Sequence, residues 1–344
     1  MAKKFDVVIG NPPYQEEATG SGTRDTPLYH LFMDAAYEVG SKAVLITPAR
    51  FLFNAGFTPK AWNLKMLADP RLSVPHYVPN SAQLFPGTDI KGGIAVTSWD
   101  EDRDGEPIAT FTSSPELNQI LQSVVESGDG SLAGIVSSGR AYYFTQAMHD
   151  AHPEASALMS SDAQFRVSTN AFEQLPFLFT AEKPPGGDEY VQVVGLIKNK
   201  RFTRWTLSDY LTGPESFDAY KVVVPAANGA GHFGEALASP AVAGPGVAVT
   251  QTFITIGSFT EEAGAEACLA YVKTKFARTM LGVLKITQHN PAKTWKHVPL
   301  QDFTSKSDID WSQPIPEIDR QLYAKYGLDD DEIAFIEEKV KPMA

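Results

Sequence analysis

The stretch FDVVIGNPPYQ, residues 5 to 15, constrains the fold more than any other part of the chain. Val7, Val8 and Ile9 form an apolar run with no polar residue between them. That is the pattern of a strand buried inside a sheet. Two prolines in series, Pro12 and Pro13, then fix two φ angles and remove two amide donors, so the run ends in a stiff loop. The loop presents two acceptors close together, the Asn11 side-chain oxygen and the Pro12 carbonyl. Tyr14 adds a flat ring directly after them.

This arrangement has chemical content. Two adjacent acceptors suit an NH₂ group, which carries two donors. An aromatic amine is a poor nucleophile because its lone pair is delocalised into the ring. Hydrogen bonds to both of its protons favour a pyramidal nitrogen with the lone pair aimed outward. Positioning and electrostatic help of this kind is what a methyl transfer needs.

Along the first hundred residues, strands and helices alternate. FDVVIG is a strand, and TPLYHLFMDAAYEVG has Leu28, Leu31, Phe32, Ala35, Ala36 and Val39 at helical spacing, stopped by Gly40. KAVLITP is a strand, PKAWNLKMLAD a helix, and LSVPHYV and GGIAVTSWD are further strands. The alternation predicts a parallel α/β sheet. The pattern fades after Asp104, and the expected organisation is a catalytic half over 1–110, a transition over 111–139, a strand-rich region over 140–303 and a helical segment over 304–344. Within the third part, EEAGAEACLAYVKTKFARTMLGVLK reads as one long helix. The final segment reads as a helix, a Gly327 stop, and a second helix capped by Asp329 or Asp330.

The Asn-Pro-Pro-Tyr loop after FDVVIG resembles the catalytic motif of adenine-specific (N6) DNA methyltransferases of restriction–modification systems. QLFPGTDIKGGIAVTSWD resembles a later motif of that family, and KAVLITPARFL its intervening strand. TWKHVPLQDF and the final helices resemble its carboxy-terminal part. The resemblance implies an α/β fold: a partial Rossmann-like methyltransferase sheet, then a mixed, strand-rich target-recognition domain and a helical tail. It implies S-adenosylmethionine as cofactor and double-stranded DNA as partner, with the target base flipped out of the duplex. Carried over by position, Asn11 and Pro12 accept hydrogen bonds from the adenine amine, Tyr14 stacks on the base, and Phe85 packs on its edge. Phe85, beside Pro86-Gly87, also reads as a core or turn aromatic.

The family's cofactor loop is Gly-rich, follows a strand, and is succeeded by an acidic residue about 20 positions on. Only ten residues precede Asn11. GAGHFG, Gly229 to Gly234, matches the glycine spacing, but Pro240 and Gly244-Pro245 break the segment where a helix is required, so it reads as an ordinary loop. The cofactor-binding residues are therefore unknown. The expectation is a carboxy-terminal part, as a split subunit, a longer protein or a remnant, inactive alone. It would pair through its first strand with a separate chain carrying the cofactor half, or with itself. A DNA-specificity module without catalysis, and a methyltransferase acting on a protein glutamine or RNA base, are the alternatives.

Charge adds a partner and excludes others. The net charge of −12 argues against non-specific nucleic-acid binding by the whole surface. Yet Tyr190 to Ser208 holds Lys198, Lys200, Arg201 and Arg204 and no acid, and Ala267 to Gln301 also has none. This fits a basic cleft on an acidic body, and equally two solvated basic faces. The DNA contacts expected are Lys198, Lys200, Arg201 and Arg204, on what reads as a hairpin, with Lys293 and Lys296. No metal cluster is expected. The lone Cys268 excludes an intrachain disulfide, reads as a core thiol and fits a reducing, cytoplasmic setting. Glu337-Glu338-Lys339 fits a nuclease-like spacing but reads as a solvated helix end.

Overall fold

The computed structural model describes residues 4–16, 26–54, 57–88, 90, 92–112, 114–227, 229, 232–285 and 288–343. The chain divides into two units, Met1–Gln119 and Ile120–Ala344, each mixed α/β. The boundary falls inside a helix, α3 (Pro115–Glu126).

In the first unit four strands form one sheet: β1 (Phe5–Gly10), β2 (Gly40–Pro48), β3 (Leu72–Val78) and β4 (Ile94–Asp100), in the order β1-β2-β4-β3. β1 and β2 are parallel and joined by helix α1 (Tyr29–Val39), which supplies the crossover such a pair requires. The wholly parallel sheet expected from the alternation is corrected at β4, which runs antiparallel to both β2 and β3. Among the described residues, only a short 3₁₀ turn, Ser81–Gln83, and no α-helix lies between β3 and β4, so there is no crossover element and the strand reverses.

The apolar stripe expected on α1 is corrected too. Tyr29, Met33 and Ala36 face the core, whereas Leu31 and Phe32 are 56% and 45% exposed. The aromatic neighbours decide the rotation: Tyr37 stacks on Trp99 at 4.8 Å, and Asp34 accepts the Nε1–H of Trp62. Gly40 follows the helix in extended geometry, and a side chain is excluded there because its Cβ would lie 2.7 Å from Val8. With α2 (Lys60–Leu67), α1 covers the sheet face that carries Ala43, Leu45, Ala95 and Trp99. On β1 the alternate residues Phe5, Val7 and Ile9 are exposed. Among the described residues β1 pairs only with β2, so it is an edge strand.

The second unit holds two apolar clusters. One is built on an antiparallel sheet of β5 (Val136–Ser138), β8 (Tyr220–Pro225), β9 (Ala241–Ala243) and β11 (Phe253–Phe259), in the order β9-β8-β11-β5. Helices α4 (Glu262–Lys273) and α5 (Lys275–Gly282) pack there, together with the closing helices α6 (Ile315–Lys325) and α7 (Asp330–Lys339). The other cluster gathers residues 142–179 against a sheet of β6 (Tyr190–Ile197), β7 (Lys200–Leu207) and β10 (Val247–Val249).

The single long helix read over residues 261–285 is two helices. Thr274 leaves helical geometry at ψ 151°, and its hydroxyl accepts the Ala277 N–H. The Asp319 carboxylate accepts the next two free amides, Lys275 N at 3.0 Å and Phe276 N at 2.9 Å. A new helix start is thereby satisfied at the break. α7 begins at Asp329, whose carboxylate and Glu332 form a reciprocal cap.

Candidate functional site

The loop Asn11–Tyr14 follows the last β1–β2 pair, Gly10 with Leu45. Asn11 and Pro13 are exposed, and Pro12 and Tyr14 are half-buried. The Tyr14 ring packs against the first unit's core, and its enclosed hydroxyl has no hydrogen-bond partner among the described residues. Burial raises the pKa of that hydroxyl. The Tyr14 carbonyl accepts the Leu28 N–H at 3.0 Å, which leads the chain into α1.

Strand directions bring other segments to the same end of the sheet. Pro48 at the end of β2 pairs with Ile94, and Ile94 pairs with Val78 at the end of β3. The segments after β1, β2 and β3 therefore emerge together, where α/β sheets place their ligands. The segment after β3 carries Phe85. It is half-buried in a turn where its N–H bonds Ser81 O at 2.8 Å and its carbonyl accepts from Thr88. Ser81 Oγ accepts the Ile90 N–H at 2.9 Å and closes the loop. Gly93, at φ 77°, completes the turn, since a Cβ there would meet Val78 O at 2.4 Å. Ala49 N donates to Gly93 O, tying the segment after β2 to this loop. β1 and β3 are opposite edges, so Asn11 and Phe85 share an end of the sheet but start about 14 Å apart, three strand spacings.

In the second unit β6 and β7 form the hairpin read from the sequence, with Ile197 paired to Lys200 and Leu207 to Tyr190. Lys198, Lys200 and Arg201 are exposed and Arg204 half-buried. They are not equivalent. Arg201 donates to Ser239 O at 2.8 Å and lies 5.0 Å over the Phe253 ring, and burial lowers its pKa. Arg204 lies 5.0 Å over Phe202. Lys183, for which no sequence pattern signals a role, sits 5.7 Å over Trp205 because Thr180 pairs with that strand. Lys293 and Lys296 are exposed on a 3₁₀ turn, Ala292–Trp295, anchored by the buried Trp295. The hairpin stands on one apolar cluster and this turn on the other.

Lys221 is a buried cation that sequence reading missed. Its ammonium donates to the carbonyls of Phe217, Ala219 and Gly244 at 2.9–3.1 Å, and burial pulls its pKa down to about 8. A lysine before three valines gives no sequence signal for such a role. His297 is pushed down to about 4 by burial, with Lys296 adding to the effect. The Cys268 thiol is fully buried and pushed well up. Gly234 meets the segment after α7, where Lys341 N donates to its carbonyl. Asn228, Ala230 and Gly231, in or beside the glycine-spaced loop, lie outside the described residues, as does Gly20–Gly22.

Residues 1–85 match the family model of the Eco57I restriction-modification methylase. An uncharacterized adenine-specific methylase of Mycoplasma pneumoniae is 30% identical over 109 residues, which is 30% of this chain and 26% of that protein. The chain thus aligns with about a quarter of this curated relative. Among solved structures, the type IIL restriction-modification enzyme MmeI in complex with DNA aligns over 97% of this chain and 56% of its own, at 10% identity and a TM-score of 0.28. At that score the likeness decides nothing about this fold. Over its amino-terminal region the chain resembles adenine-specific methyltransferases of restriction–modification systems, and the matched region contains Asn11–Tyr14. No helix of the described residues is long and apolar enough to cross a membrane.

Proposed function

We propose that the chain supplies the methyl-acceptor site and DNA-holding region of an S-adenosylmethionine-dependent adenine-N6 DNA methyltransferase. The carrying observation is the Asn11-Pro12 pair, Asn11 exposed and Pro12 half-buried, at the carboxyl end of β1 and inside the matched region. The Asn11 oxygen and Pro12 carbonyl hold the two amine protons of a flipped adenine. Tyr14 offers a ring already steadied by the core, and Phe85 approaches from the far side of the same sheet end.

S-adenosylmethionine supplies the methyl group in such a reaction. The described residues do not form a cradle for it. Gly234, the last residue of the glycine-spaced loop, lies against the segment after α7, and among the described residues no helix begins there. No step is therefore assigned through the cofactor. The edge of β1 that has no partner among the described residues is where cofactor-bearing strands would add, whether covalently continuous or on a separate chain, and they would extend the uncovered face that carries Phe5, Val7 and Ile9. Pairing of β1 with a second copy would use the same edge.

The test is methylation of adenine in duplex DNA, read by mass spectrometry, with a cofactor-binding half supplied. Asn11→Ala is expected to lower the rate by about a hundredfold or more, as loss of a single positioned acceptor does, while duplex affinity holds. An unchanged rate in that variant would overturn the acceptor role.

A further inference from the structure

The β6–β7 hairpin turns through only two residues, Lys198 and Asn199, with φ of 49° and 62°. Two left-handed residues in succession make the turn whose twist matches the flanking strands, and glycine is favoured there because a side chain crowds its own backbone. Neither position is glycine. Asparagine tolerates this conformation; lysine does so poorly. Both side chains are exposed, so packing does not explain them. Strain kept at an exposed tip, where a smaller residue would relieve it, points to a use for the side chains themselves.

The surroundings say what use. No acid lies between Tyr190 and Ser208 in a chain of net charge −12. Arg201 is partly committed to Ser239 O and Phe253, so it braces the hairpin. Lys200 and Arg204, four residues apart on one strand, share a face. A two-stranded ribbon fits the major groove of duplex DNA, and the asparagine amide matches the donor–acceptor pair on an adenine edge.

We propose that Lys198 and Asn199 read base edges in the major groove, Asn199 at an adenine and Lys198 at a guanine, while Lys200 and Arg204 hold flanking phosphates. The proposal rests on the DNA-binding reading given above. It goes beyond that reading by assigning specificity to the tip and a bracing role to Arg201.

The experiment selects bound sequences from a duplex library with a randomised centre, using the full chain. It then compares affinity for a selected and a scrambled duplex across salt. The variant Lys198→Gly/Asn199→Gly keeps a favoured turn, so its thermal unfolding is expected to match wild type. It should lose roughly tenfold to a hundredfold of the selected-over-scrambled ratio. Lys200→Ala and Arg204→Ala should weaken both duplexes alike and flatten the log–log salt slope by about one each. A glycine-pair variant that keeps the wild-type ratio overturns the proposal while leaving DNA binding intact. So does a wild-type chain that binds poly-glutamate as tightly as duplex. A wild-type chain that binds no duplex removes the DNA reading as well.

Discussion

β1 and β8 are spelled alike and treated oppositely. FDVVIG and YKVVVP are both short apolar runs. In β8, Val222, Val223 and Val224 are at most 2% exposed, between β9 and β11 and beneath α4. In β1, Val7 is 49% and Ile9 79% exposed. The run of valines specifies a strand in both cases. Whether the strand is covered depends on which elements pack on it. The loop proposed to act follows the uncovered strand, and the covered strand carries the second unit's core.

The sharpest way to break this contrast is to place one charge in each strand. Val223→Asp should destabilise the protein by about 4 kcal/mol or more, since it buries an unpaired carboxylate. Chemical denaturation would show this as loss of the folded baseline. If Val223→Asp were tolerated, the second unit's core would not lie where the structure puts it.

Asp319 tests how the covered region is held together. Burial raises its pKa to about 6 against an ordinary 3.8, opposed by the Phe276 and Lys275 amides. The folded state then binds more protons than the unfolded state between those values. Its contribution is full below about pH 4 and is lost as pH rises through 6, a swing of roughly 3 kcal/mol. His297, pushed down to about 4, has the opposite slope in the same window. The difference between wild type and Asp319→Asn, followed by unfolding at each pH, isolates the carboxyl. An unchanged pH profile in the variant would remove Asp319 from the account.

Lys221→Met should cost about 1–3 kcal/mol, because three buried carbonyls lose their shared donor. The melting temperature measures this. Smallest of all is Val7→Asp on β1, expected to change the stability of the chain alone by no more than about 0.5 kcal/mol. The same change should weaken association with any strand that adds to β1, which sedimentation with a cofactor-binding half would detect.

The sequence made some of this legible and hid the rest for physical reasons. The Asn-Pro-Pro-Tyr loop was readable because proline's missing N–H acts locally. The β6–β7 hairpin was readable because its strands are adjacent in sequence. The rotation of α1 was not, since two apolar stripes compete and Trp62 and Trp99 choose between them. The break at Thr274 was invisible because the group that satisfies it, Asp319, arrives 45 positions later. The reversal of β4 needed only the missing helix before it, a signal present in the sequence. Arg201 looked like its neighbours, and only Ser239 and Phe253 set it apart.

By itself the sequence determined where strands end, which loop bears paired acceptors, and where positive charge gathers. Each of these follows from covalent geometry or from residues near one another along the chain. Tertiary structure decided which strand is left at the edge, which cations are committed, and which loops share the end of the sheet with Asn11. Those outcomes depend on burial and on partners distant in sequence, and no local pattern encodes them.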